Sequence, residues 1–297
     1  MKMRRLKKML FILIISIITL AGCGEAKTVE NEKSSIKDGE KLTLSFINIG
    51  KGDAFLIDVP GDGYYLCDTG KAQDFPQIAR LLKVKGVEKL NGIFLSHGHK
   101  DHAGGLEALV KAFKTEKIYI SALDTVSYEN IDDREIAKEN GIDLVELKGG
   151  EKLSLGSANV EVWIPSKIDK KNANNNSVVL RITYGDTAYL MTGDMEKEEE
   201  AKFLASGVNL QAEVLKLGHH GEDDATTVSL LQKVKPKYGI ICGNMEENPD
   251  SMNQEIAERL KSHSVEAYYS EGEQLAVDFV SDGTSIKVEN IIDKNTK

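Results

Sequence analysis

Apolar and polar positions change period several times after Leu42, and the changes outline an alternation of strands and helices. Leu42, Leu44, Phe46, Ile47 and Ile49 form an apolar, partly alternating run that predicts a strand. Strands over 54–59 and 64–67 follow, joined by the turn Pro60-Gly61-Asp62-Gly63. Ile78, Leu81 and Leu82 mark a helix; a strand over 92–96 and a helix from Leu106 come next. Residues 117–121 read as a strand, 134–140 as a helix closed by Gly141, and 143–147 as another strand. The middle of the chain turns strand-rich, over 152–155, 159–164, 177–184 and 187–191, with Gly185-Asp186 as a hairpin signal. Helices over 197–205 and 228–234 then alternate with strands over 213–217 and 238–241. A helix over 254–261 and strands over 275–279 and 286–288 close the pattern. Strands early, helices interspersed and a second β-then-α half predict an α/β fold of two sheets packed face to face with helices outside.

The first 40 residues follow a different pattern. Lys2, Arg4, Arg5, Lys7 and Lys8 precede an apolar stretch from Met9 to Leu20, short for a membrane span. Leu20-Ala21-Gly22-Cys23 then resembles a bacterial lipobox, whose cysteine becomes the lipid-bearing first residue. Residues 1–22 are expected to be a lipoprotein signal peptide, and 23–40, polar and charged, a flexible tether from a lipidated (palmitate-type acyl) Cys23. The domain is expected over 41–290, with 291–297 as a disordered tail. That places the protein on the extracytoplasmic face of the bacterial cell membrane. Removing 1–22 takes five of the 38 Lys and Arg and none of the 47 Asp and Glu, moving the net charge from −9 to −14. So acidic a chain disfavours nonspecific nucleic-acid binding, which draws on basic surface. Cys67 and Cys242 sit in or beside apolar runs and read as buried thiols; no Cys-x-x-Cys exists for a structural zinc finger.

Three clusters carry candidate chemistry. His97, His99, Asp101 and His102 fall within six positions between an apolar strand and a helix start. Imidazole and carboxylate suit zinc, with manganese as the alternative. Thr192-Gly193-Asp194 follows a strand, so its carboxylate projects at the strand's carboxyl end; the competing role for Asp194 is a helix N-cap. His219-His220, flanked by glycines at the end of another strand, reads as one ligand plus one catalytic neighbour, without saying which is which. Asp53 and Asp68 sit beside glycines at strand ends, as turn residues or as carboxylates that orient a metal-bound histidine.

With Phe46–Asp53, Asp68-Thr69-Gly70, Asn174–Leu180 and Leu215–Gly221, these clusters resemble the metallo-β-lactamase superfamily, most nearly the ComEC-type competence-protein hydrolase domain. The resemblance implies an αββα four-layer sandwich with two divalent ions at one edge. His97 and His99 would bind one; Asp101, His102 and one of His219 or His220 the other; Asp194 would bridge them. Asp101, Asp194, His219 and His220 are the candidate catalytic residues, with Asp53, Asp68 and Asn176 behind the ligands. Two departures stand out. No histidine lies between 102 and 219, where most of the superfamily has one and this chain has Asn172 and Asn174–Asn176. Glu222, Asp223 and Asp224 follow His-His-Gly where serine is usual, and Pro249–Asn253 replaces a His-Pro stretch.

The expected function is a lipid-anchored hydrolase of phosphodiesters (nucleic acid, a teichoic-acid head group or a nucleotide), attacking with metal-activated hydroxide. One alternative keeps the site but cleaves a lactam, lactone or thioester. Another is a surface binding protein on a degenerate hydrolase scaffold.

Overall fold

The protein's structure, a computed structural model, describes residues 36, 37, 39–123 and 131–292. The expected leader 1–22, Cys23, most of the 23–40 tether and residues 293–297 lie outside them. The strands are β1 (Leu42–Ile47), β2 (Phe55–Val59), β3 (Gly63–Cys67), β4 (Lys89–Leu90), β5 (Gly92–Phe94), β6 (Lys114–Thr115), β7 (Lys117–Ser121), β8 (Asp143–Leu147), β9 (Lys152–Leu155), β10 (Ala158–Trp163), β11 (Val179–Tyr184), β12 (Thr187–Met191), β13 (Val214–Lys216), β14 (Tyr238–Ile241), β15 (Glu266–Tyr269), β16 (Ala276–Ser281) and β17 (Ile286–Ile291). The helices are α1 (Phe75–Val84), α2 (Lys100–Ala103), α3 (Leu106–Ala112), α4 (Asp133–Glu139), α5 (Lys197–Ala205), α6 (Val228–Val234) and α7 (Gln254–Ser262).

Two large sheets carry the fold. The first runs β17-β16-β1-β2-β3-β5-β7-β8 and the second β15-β14-β13-β12-β11-β10-β9. Side-chain alternation sorts each strand between two faces. In β2, Phe55, Ile57 and Val59 enter the core between the sheets, while Leu56 faces the layer of α1, α3 and α4. In β12, Tyr189 and Met191 face inward, while Ala188 and Leu190 pack with Phe203 of α5 and the apolar faces of α6 and α7. The result is the expected αββα four-layer sandwich.

Several local features differ from the sequence reading. Ile36, in the expected tether, is partly buried against the inter-sheet core. β17 continues through Ile291, which pairs with Ala276, so the strand enters the segment read as tail by one residue. β15 was not expected: its mixed run Glu-Ala-Tyr-Tyr is half-exposed at a sheet edge and gains strand form from parallel pairing with β14. The histidine run is not wholly loop, because Asp101 and His102 lie in the helical turn α2. Among the described residues, no helix is long and apolar enough to cross a membrane.

Candidate metal centre

Strand ends from both sheets meet at one edge of the sandwich. β5 delivers Ser96 and His97; β12 and β13, paired in parallel, deliver Asp194 and Lys216 at their carboxyl ends. Gly193 makes the exit turn at φ +54°, where a Cβ would come within 2.7 Å of Ser177 Oγ. The same Ser177 hydroxyl accepts the Asp194 backbone N–H at 3.0 Å. Asp194 therefore points at the histidines, and the cap of α5 falls to Glu196 instead.

The side chains converge on one carboxylate oxygen. Asp194 Oδ2 lies 2.9 Å from His102 Nε2, 3.1 Å from His220 Nε2 and 4.0 Å from His97 Nε2. His220 Nε2 is also 3.4 Å from Asp101 Oδ2. Two groups of donor atoms within 4.8 Å of one another result: His97, His102 and Asp194, and Asp101, His102 and His220. His99 stands at the outer side, its Nδ1 3.1 Å from His97 Nε2.

Residues behind the ligands fix which nitrogen faces the centre. Asp68 Oδ2 accepts from His102 Nδ1 at 2.8 Å, leaving Nε2 for the centre. Asp68 is itself held by the Ser96 N–H and hydroxyl, both at 2.7 Å. His220 Nδ1 donates to the Cys242 carbonyl at 2.8 Å, which turns Nε2 inward. Asp53 Oδ2 lies 2.5 Å from Lys216 Nζ and 3.8 Å from His102 Nδ1. Asn176, expected behind a ligand, instead ties down its own loop: its side chain accepts the Asp169 N–H at 2.6 Å and donates to the Asp169 carbonyl at 2.9 Å. It lines a small recess with Ser96 and His97.

The adjacent histidines part company. Both have positive φ, 44° at His219 and 53° at His220, so the backbone curls left-handed and sends successive side chains apart. His220 is fully buried, whereas the His219 side chain is 17% exposed at the rim. There His219 Nδ1 meets Asp224 at 3.0 Å, with Glu222 at 3.6 Å and Glu196 at 3.9 Å. His219 Nε2 is 3.3 Å from the Asn174 amide, which also donates to Glu196 at 2.8 Å. The sequence reading assigns no role to Lys216, Ser96, Ser177 or Glu196. Lys216 had a visible signal: it shares a strand face with buried Val214, where a lysine stays only if paired.

Burial lowers the proton affinity of His97, His102 and His220, and neighbours decide the outcome. His97, desolvated and beside His102, is held well below its ordinary value. For His102, burial is outweighed by Asp194 and Asp68, and its pKa rises well above the ordinary value. For His220, burial is outweighed by Asp194 and Asp101, and its pKa is pushed up to about 9. Asp194 is held well below the carboxylate range, because His102, His220 and Lys216 overcome its burial.

This donor set fits a metal. His220 Nε2 is buried with no hydrogen-bond partner, yet it faces two carboxylates and has its other nitrogen fixed. Three imidazoles and two carboxylates at one point suit divalent zinc or manganese. Cys67 and Cys242 are buried free thiols outside these groups.

The family profile described as "Metallo-beta-lactamase superfamily" matches residues 47–243. ComE operon protein 3 of Bacillus subtilis (strain 168) is 28% identical over 239 residues, covering 75% of this chain and 31% of that protein. Competence protein ComA of Neisseria gonorrhoeae is 28% identical over 222 residues, covering 73% of this chain and 29% of that protein. The chain thus spans about a third or less of the length of these ComEC-like relatives, the branch its motifs resemble. Among solved structures, Tm1679, described as a metal-dependent hydrolase of the beta-lactamase superfamily, has a TM-score of 0.54 at 16% identity, covering 77% of this chain and 96% of that one. YhfI from Bacillus subtilis, a metallo-beta-lactamase fold protein, has a TM-score of 0.51 at 16% identity, covering 82% of this chain and 100% of that one. These two likenesses concern the fold.

Proposed function

The chain belongs to the metallo-beta-lactamase superfamily of metal-dependent hydrolases, and on that premise we propose that it is a two-metal phosphodiesterase tethered outside the cell by lipid on Cys23. One observation carries the chemistry: three buried imidazoles converge around a single oxygen of Asp194, and one of them, His220, also meets Asp101. His97, His102 and Asp194, with His99 beside them, would hold one ion; Asp101, His102 and His220 surround the second position, with Asp194 between. When bound, such a pair lowers the pKa of a water from about 15.7 toward 7 and stabilises charge on the displaced oxygen.

The protein's own residues supply the rest. Asp68 and the Cys242 carbonyl keep the His102 and His220 Nε2 lone pairs aimed at the centre. His219 is the proton donor. Burial opposes its charge, but the hydrogen bond to Asp224 and the charge of Asp194 outweigh it and raise its pKa. Asp224 holds Nδ1; the Asn174 amide N–H, which faces Nε2 at 3.3 Å, must turn away for Nε2 to carry the proton that passes to the departing oxygen.

The rim favours a small substrate over a polymer. Lys51 Nζ is 3.0 Å from Glu222, and Lys71 Nζ is 3.6 Å from Glu247, so both cations are already matched. Long polyanions draw affinity from such cations, and here each has its counter-charge. The same acids support a second reading, in which the bond cleaved is a lactam, lactone or thioester.

The test is hydrolysis of bis-p-nitrophenyl phosphate by the purified full chain loaded with zinc or manganese, with DNA and nitrocefin in parallel. Cleavage of the phosphodiester that disappears in Asp194→Ala is expected. A metal-loaded chain inert on the phosphodiester and on DNA refutes the proposal. Nitrocefin hydrolysis that is lost in His99→Ala would move the assignment to the second reading.

A further inference from the structure

Lys216 is fully buried at a position where the alternation of β13 puts Val214 against the core between the sheets. Its ammonium makes three contacts. Nζ lies 2.5 Å from Asp53 Oδ2, 2.9 Å from the Gly193 carbonyl and 3.3 Å from Asp194 Oδ1. The two oxygens of Asp194 therefore have different surroundings: Oδ1 faces Lys216, and Oδ2 faces His102, His220 and His97. A carboxylate with both oxygens free can swing to chelate one cation; one whose second oxygen is tied to an ammonium offers a single atom. We propose that Lys216 is a positioning residue that holds Asp194 Oδ1 out of the centre, so that Oδ2 is the one oxygen Asp194 would offer to ions held there. This rests on the two-metal reading of the site. Asp53, from the first sheet, neutralises the ammonium and fixes it across the gap between sheets. A hydrophobic residue at 216 would fill the space but leave Asp194 free to rotate, and leave Asp53 as an unpaired buried charge.

Metal titration separates this role from simple charge pairing. Asp53→Asn alone leaves Nζ on Asp194 and should keep both ions. The double variant Asp53→Asn/Lys216→Met removes one charge of each sign, so the metal-free fold should survive. It should hold the first ion and bind the second about 10- to 100-fold more weakly, with a changed Co²⁺ absorption spectrum. Asp53→Asn/Lys216→Leu, which likewise has no donor for Oδ1, serves as the second variant should the methionine form melt early, with the same expectation. A double variant that binds two ions as tightly as Asp53→Asn overturns the proposal and reduces Lys216 to a counter-ion for Asp53. A wild-type chain that takes up at most one ion overturns the two-metal reading, and the role of Lys216 with it.

Discussion

His97, His99 and His102 reach the centre from one short segment, whereas His219 and His220 are neighbours that end in different places. In the first segment an extended stretch and one helical turn bring the imidazoles together. In the second, two left-handed residues in succession turn one ring into the buried centre and the next to the rim. His220 gains Asp101 and Asp194; His219 gains Asp224, Glu222 and Asn174. Backbone conformation thus divides adjacent, chemically identical residues into one that faces the buried centre and one that faces the acidic rim. Both φ values are unusual for a residue with a Cβ, a local cost of about 1–3 kcal/mol each that the packing around the turn must offset.

The largest expected effect breaks the centre that both clusters serve. Asp194→Ala should lower phosphodiester hydrolysis by about a thousandfold or more, since the several kcal/mol supplied by metal chemistry goes with it. A steady-state assay of both proteins in the same metal-supplemented buffer, with bound metal counted in each, checks this. A smaller and different loss is expected from the rim. His219→Gln should keep its metals yet lower kcat by about 10²–10³-fold on an ester with a poor leaving group. The loss should shrink on p-nitrophenyl esters, whose leaving group needs no proton; equal losses on both substrates would remove His219 as the acid.

The pH response sharpens the same contrast. The folded pKa of His220 is raised to about 9, because Asp194 and Asp101 outweigh its burial. A raised pKa stabilises the metal-free fold fully below the unfolded value near 6.5, and that stability is lost as pH rises through about 9. The metal-free melting temperature should therefore fall by several degrees between pH 6.5 and 9. Metal affinity should rise over the same interval, because uptake displaces the proton from His220. Parallel slopes for both quantities would contradict the account. The smallest effect belongs to the acids beyond His219. Glu222→Ser frees Lys51 from a partly buried rim pair, a contact worth about 1 kcal/mol, so DNA affinity should rise only two- to fivefold, measurable by fluorescence anisotropy at low salt.

The fold was legible because strands packed between two layers read as short, nearly continuous apolar runs, as in β2 and β12, and because glycines punctuate the strand ends. β15 escaped that logic, since an edge strand with half-exposed side chains needs no apolar period. The convergence of the candidate donors was legible by residue type and clustering. Their roles were less so. Nothing in the letters of His219-His220 says which ring turns inward; that is fixed by backbone angles and by a carbonyl at Cys242, far along the chain. Asp194 carried two readings until the Gly193 turn and Ser177 aimed it. Lys216 needed a partner from the opposite sheet before its burial made sense.

The division of labour between the two neighbouring histidines is tested most directly by counting bound metal. The full chain, reconstituted with zinc and analysed by mass spectrometry, should carry two ions per molecule. His219→Ala should also carry two, and His220→Ala about one. Equal metal content in the two variants, or a greater loss from His219→Ala, would contradict the account.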